Sequence, residues 1–223
     1  MNTAKIIATT EPFIRNENGD RMHEQEFIAY CARVSNPSNQ MNSETSDKLL
    51  RYCIRNKHWS IFEMVNVVMQ VDTTRDIARQ ILRHRSFSFQ EFSQRYADPT
   101  KDMGFVTREA RLQDTKNRQN SIETDNDDLN KWWEEKLRTV EFISKATYNQ
   151  AIDKGIAKEQ ARVVLPEGLT ASRLYMNGTL RSWIHYCELR CSNGTQKEHR
   201  EVAISARNEL IENFPFLGEI FKD

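Results

Sequence analysis

The sequence predicts an α+β fold in a single domain. Two observations carry this. Segments of helical and of strand-like hydrophobic spacing follow one another without the strict alternation a doubly wound parallel sheet requires. With only seven glycines in 223 residues, no G-x-G-x-x-G or G-x-x-x-x-G-K-[ST] cradle occurs. The composition, 38% hydrophobic and 29% charged, is that of an ordinary globular protein. The 32 basic and 32 acidic side chains cancel, which argues against a nucleic-acid coat. A nucleotide would therefore have to be held by side chains and helix ends, and arginines become the residues to follow.

The elements follow in chain order. Residues 5–8 form a short apolar run, an opening or edge strand, and residues 43–56 carry Leu49, Leu50, Cys53 and Ile54 at helical spacing. Residues 61–71 are strand-like and rich in valine. Thr73-x-x-Asp76 resembles a capping box and opens a helix with the stripe Ile77, Ala78, Ile81 and Leu82, ending in Arg83-His84-Arg85. The chain then reads as extended from Phe87 to about Ala97, with a further strand at 104–107. Apolar residues nearly vanish over 108–130, which reads as a solvated excursion from the domain. Helical spacing returns at 132–152, and a helical piece at 158–164 is closed by Pro166. A strand at 169–176 and helices at 179–191 and 202–213 complete the chain. No run reaches eighteen apolar residues, and the first ten residues lack a basic segment followed by an apolar one. The expectation is a soluble, cytoplasmic protein without membrane contact. Cys31, Cys53, Cys187 and Cys191 make no metal or disulfide pattern, so neither is expected.

Three groups of residues could carry chemistry. Arg83, His84 and Arg85 close a helix whose polar side already carries Arg75 and Arg79, an exposed arginine row with Arg83, and cations at its end compensate the dipole or grip an anion. If the following segment is extended, Glu91, Ser93 and Arg95 share one face while Phe92 and Tyr96 are free to pack on the other. Trp183, Cys187 and Arg190 fall at i, i+4 and i+7, placing Arg190 on a stripe of residues that should be buried. A buried cation needs an anionic partner, unless the side chain extends its head to solvent. Arg181 and His185 share another stripe with Glu188. Trp132, Trp133 and Trp183 read as packing residues, and His23 and His199 have no evident partners.

The run RHRSFSFQEFSQRY, residues 83–96, fits the R-H-R-x7-S signature and resembles the flavin-dependent thymidylate synthases. The flanks agree: His58-Trp59-Ser60-Ile61-Phe62-Glu63 lies upstream, Glu159-Gln160-Ala161-Arg162-Val163-Val164-Leu165-Pro166 is similar to the family's A-R-x-x-L-P segment, and residues 179–190 occupy the place of its last active-site helix. The resemblance implies a mostly antiparallel sheet packed by long helices, and methylation of dUMP to dTMP. Methylenetetrahydrofolate would give the carbon and NADPH-reduced FAD the hydride, with no enzyme cysteine as nucleophile; none of the four cysteines lies in the signature. It implies a homotetramer with active sites shared between subunits. Position by position, it assigns Gln80, Arg83, Glu91, Ser93, Gln94, Arg95 and Arg162 to dUMP. It assigns Ser60, Arg83, His84, Arg85 and Glu91 to FAD, together with Thr179, Arg181 and His185 on the last helix. Thr179 and His185 stand where the common pattern has asparagines, and Asn177 is an alternative for one of those contacts. Arg190, facing the pyrimidine, is the candidate catalytic residue and a dUMP contact; Ser93 is a ligand-positioning hydroxyl, since no base is identifiable beside it. Two other readings stand beside this one. One is a non-catalytic RNA- or nucleotide-binding module that stacks bases on Phe87, Phe89 and Tyr96. The other keeps the flavin fold but has lost activity or acts on a different pyrimidine.

Overall fold

The computed structural model describes residues 1–221. Strands β1 (Thr3–Thr9), β2 (Asn66–Thr74), β3 (Ser88–Glu91) and β6 (Ala171–Thr179) form one antiparallel sheet in the order β1-β2-β6-β3. β4 (Arg111–Gln113) and β5 (Ser121–Glu123) make a separate hairpin. The helices are α1 (Glu24–Ala32), α2 (Ser46–Arg55), α3 (Arg75–Ile81), α4 (Pro99–Asp102), α5 (Asp127–Asp153), α6 (Lys158–Ala161), α7 (Leu180–Arg190) and α8 (Lys197–Asn213). The expected class, helices on a mostly antiparallel sheet, is what the chain adopts.

Period two decides which face of the sheet is covered. Val67, Met69 and Val71 of β2 and Ser172, Leu174 and Met176 of β6 are fully buried, whereas Arg173, Tyr175 and Asn177 face outward. On the outer face Arg173 pairs with Asp72 at 2.6 Å across the ladder. The inner face carries α3, α7 and α8, which close a core containing Trp183, Tyr186, Ala203, Ala206 and Leu210. Trp183 reaches across it, its Nε1–H donating to the Val67 carbonyl at 2.9 Å. β1 is an edge strand whose outward backbone is covered by α8. The Ala4 N–H donates to Ser205 Oγ at 3.0 Å, the same hydroxyl donates to the Ala4 carbonyl at 3.0 Å, and the Ile6 N–H donates to Glu209 Oε2 at 2.9 Å. α5 is 27 residues long, roughly 40 Å, and exposes Trp132, Val140, Phe142 and Ile143.

Several expected elements take a different form. The valine-rich segment first makes a 3₁₀ turn, Trp59–Glu63, that buries Phe62, and becomes a strand only at Asn66. Thr73 does not cap α3: its hydroxyl donates to Asn2 Oδ1 at 2.9 Å, and Thr74 is the N-cap residue. The extended run after Phe87 stops at Glu91, and the chain turns at residues 94–96. Glu91, Ser93 and Arg95 therefore do not share a strand face, and Tyr96 is 81% exposed instead of packed. The strand expected at 104–107 is a single bridge from Phe105 to Thr170. α1 and the hairpin have no counterpart in the sequence reading.

The polar segment after Thr107 is anchored by charge. Arg108 grips Asp76 with both arms of its fork, at 2.9 and 2.7 Å, and Arg111 is bonded to the buried Glu198. Burial alone would raise the Asp76 carboxyl, but the Arg108 fork and the Thr74 hydroxyl together hold it below its ordinary range.

Gly178 lets Phe87 pack against the backbone, since a Cβ there would lie 2.5 Å from Phe87 Cε1. Gly178→Ala should destabilise by about 1–3 kcal/mol through overpacking. Thermal melts check this; an unchanged Tm would mean Phe87 can move aside.

Candidate functional site

α3 and α7 leave opposite ends of the β2–β6 ladder, and the residues that follow α3 meet the end of α7. α3 starts where β2 stops, with the Arg75 N–H bonded to the Thr170 carbonyl at 2.9 Å. α7 starts where β6 stops, capped by Thr179, whose hydroxyl accepts from the Ser182 N–H at 3.2 Å. One turn past α3, His84 Nε2 accepts from Arg190 Nε–H at 2.9 Å. That bond puts the imidazole proton on Nδ1. Burial, and then the Arg190 charge, lower the His84 pKa to about 4, so the ring is neutral at ordinary pH. Among the described residues no carboxylate pairs with Arg190, which is only partly exposed. The anion expected for this cation is thus not supplied by the described residues. The partner is an imidazole, which leaves both terminal nitrogens of the guanidinium available.

Beside this contact lies Gln80, held at both ends of its amide. Its Oε1 meets His199 Nδ1 at 3.3 Å, and its Nε2–H donates to Gln196 Oε1 at 2.7 Å. His199 is fully buried and its Nε2 meets the Tyr186 hydroxyl at 3.2 Å. Burial, with Arg190 and His84 adding to it, lowers the His199 pKa to about 3. His199, which seemed partnerless in the sequence, therefore fixes which way the Gln80 amide points. Neither it nor Gln196 was legible from spacing, because both act on Gln80 from about 116 residues away. Arg83 and Arg85, flanking His84, are exposed and have no side-chain partner among the described residues.

A second group gathers at the other end of α3. Arg75 is buried, with Nη1 3.4 Å from Glu91 and Nε 3.8 Å from Glu167. It is not the exposed member of an arginine row that α3 periodicity suggested. Glu91 also accepts from Ser172 Oγ at 2.9 Å. Gln94 is 4% exposed with its Nε2 unpartnered. Gln94, Arg75, Arg79 and Arg162 line one cleft of about 390 Å³. Arg95 stands at the surface, 3.2 Å from Glu159. The Ser93 hydroxyl accepts from the Arg95 N–H at 3.3 Å, and among the described residues no histidine or carboxylate bonds to it.

The third group joins the 3₁₀ turn to α7. Ser60 is exposed on that turn, Arg181 pairs with Glu63 at 2.5 Å, and His185 bonds Glu188 at 3.0 Å while its ring sits edge-on to Trp59, centroids 4.9 Å apart. Of the tryptophans read as packing residues, Trp183 is wholly buried but Trp132 is 52% exposed. Among the described residues no group of His, Cys, Asp or Glu could hold a metal ion, and no helix is long and apolar enough to cross a membrane.

The family model described as thymidylate synthase complementing protein matches residues 20–216. The chain is 48% identical over 217 residues to a probable flavin-dependent thymidylate synthase of Paramecium bursaria Chlorella virus 1, covering 97% of each. It is 49% identical over 211 residues to the flavin-dependent thymidylate synthase of Synechocystis sp., covering 95% of each. The fold is similar to that of the UMP/dUMP methylase PolB from Streptomyces cacaoi, with a TM-score of 0.78 at 24% identity, covering 99% of this chain and 93% of that one.

The two histidines set a pH dependence. Both bind protons less readily folded than unfolded, so their contribution is complete above about pH 6.5 and is lost as pH falls toward 4. Urea midpoints at pH 7.5 and 5.0 should fall further for the wild-type chain than for His199→Asn. Equal drops would mean that His199 is not the buried neutral group described.

Proposed function

The chain belongs to the flavin-dependent thymidylate synthases, and from that premise we propose how its residues divide the work. It converts dUMP to dTMP with methylenetetrahydrofolate as carbon donor and NADPH as reductant of FAD. FAD supplies the hydride when bound. The observation that carries the residue assignment is the Arg190–His84 contact: a partly buried guanidinium with no carboxylate partner among the described residues, set beside a fixed amide.

For uracil C5 to become nucleophilic enough to attack the one-carbon unit, negative charge must first build on the pyrimidine, and that charge must meet a fixed donor. Arg190 offers its terminal N–H groups, because its Nε–H is committed to His84. A neutral His84 holds that arm without cancelling the positive charge. Gln80, locked by His199 and Gln196, keeps one N–H free to orient the ring. Burial raises the thiol pKa of Cys31, Cys53 and Cys187, which disfavours each of them as a thiolate that could add to C6.

The residues present fit FAD. Arg83 and Arg85 bring two guanidinium groups, without side-chain partners among the described residues, suited to a pyrophosphate. Ser60, His84, Glu91, Thr179, Arg181 and His185 complete the assignment, with Thr179 also serving as helix cap. For dUMP, Gln80, Arg83 and Arg190 lie toward the C-terminal end of α3, whereas Glu91, Ser93, Gln94, Arg95 and Arg162 gather on the side of Arg75, at its start. One ligand is thus met by halves from two subunits, the Gln94 cleft of one facing the Arg190 end of another. The exposed apolar residues of α5 support assembly, as a homotetramer in the cytoplasm.

Three outcomes test this. Arg190→Ala should keep FAD, read from its visible spectrum, and lose nearly all dTMP formation; normal turnover would remove Arg190 from the chemistry. Ser93→Ala should weaken dUMP binding roughly tenfold, as loss of one hydrogen bond to a charged group does, with turnover still detectable. Complete loss of turnover at intact binding would make Ser93 a chemical participant. Finally, inactive Arg190→Ala and Arg162→Ala chains, unfolded together and reassembled, should recover up to about a quarter of normal activity if each site draws on two subunits. No recovery would place both arginines in one subunit's site.

A further inference from the structure

The hairpin β4–β5 and the first turns of α5 enclose a cavity of about 600 Å³, within the range of small-molecule sites. None of the residues assigned to dUMP or FAD lines it. Its walls combine two chemistries. Trp132 and Trp133 lie with ring planes 26° apart and centroids 6.1 Å apart, and Trp132 is half exposed; Leu112 and Leu129 extend that apolar side. Arg108, Arg111 and Arg118 also line it: Arg108 is committed to Asp76 and Arg111 to Glu198, while the lining acid Glu109 is paired to Lys197 at 3.1 Å. Arg118 has no side-chain partner among the described residues, and Arg111 keeps its buried Nη1 without an acceptor after bonding Glu198. A flat ring with an oxyanion attached satisfies both sides at once: stacking and cation–π contact on the tryptophans, a forked guanidinium for the anion.

The cavity also touches the pyrimidine site. Gln196 lines it and, through its Oε1, holds Gln80 at 2.7 Å. A molecule seated here therefore shares a wall with the proposed dUMP position.

We propose that this cavity binds the far end of a co-substrate, an aromatic ring carrying an oxyanion; the word co-substrate rests on the function proposed above. Two sources share that chemistry, the benzoylglutamate end of the folate and the phosphorylated adenosine end of NADPH. The test uses the full-length FAD-loaded protein with dUMP saturating its own site. p-Aminobenzoylglutamate and adenosine 2′,5′-bisphosphate are titrated separately by calorimetry, with tryptophan fluorescence as a second readout. One of the two should bind once per chain, weaken with added salt, and weaken at least about tenfold in both Arg118→Ala and Trp132→Ala, each at the edge of the cavity and outside the core. Which probe binds identifies the source. Binding of neither, or binding unchanged by the two variants, overturns the proposal. A protein that binds a probe but forms no dTMP keeps the cavity assignment and loses the proposed function, whereas one that forms dTMP and binds neither loses only the cavity.

Discussion

The pairing of β2 with β6 is the constraint on which the rest depends. Thr74, where β2 gives way to α3, lies opposite Ala171, and Thr179, where β6 gives way to α7, lies opposite Asn66. Each helix is thus launched from a fixed end of one ladder and folds back over the same face. A slip of one residue would turn Val67, Met69 and Val71 outward and would also shift α7 against α3 by about one strand residue, some 3.4 Å. No hydrogen bond from Arg190 to His84 survives such a displacement. The apolar pattern that buries the core therefore also sets the geometry of the polar site.

Within that frame the polar groups of the core are few and tightly joined. His84, Tyr186 and His199 pack ring against ring, with Phe87 and Trp183 at their side. Each hydrogen bond commits one face of a bifunctional group and leaves the other to a defined neighbour. A buried network of this kind costs desolvation and returns orientation. Carboxylates are placed elsewhere, at Glu91 with Arg75 and at Asp76 with Arg108, so among the described residues none neutralises the cation at the end of α7.

The fold class and most core elements were legible because apolar spacing encodes them. Leu174 and Met176, or Ile77, Ala78 and Ile81, announce their faces directly. The signature at residues 83–93 could likewise be read, since its spacing is local. What escaped depended on partners distant in the chain. Arg75 looked exposed because its acids, Glu91 and Glu167, are remote in sequence. Residues 108–130 looked like a solvated excursion because the forces that fold their first part back are ion pairs to Asp76 and Glu198, which leave no trace in hydropathy. The strand after Phe87 ends sooner than its pattern predicts because nothing in the alternation of residues 88–96 reveals that β6 offers partners only as far as Glu91.

The cover that α8 places over β1 bears on how copies of this chain can meet. An edge strand ordinarily offers a row of unmet amides and carbonyls to any other strand that drifts past. Here Ser205 and Glu209 occupy donors and an acceptor of that row at Ala4 and Ile6. Joining two sheets into one continuous sheet along this margin would first require peeling a 17-residue helix away. Association is thereby channelled toward side-by-side packing of helices and loops. Runaway stacking into fibrils is closed off at that margin by the element that completes the core.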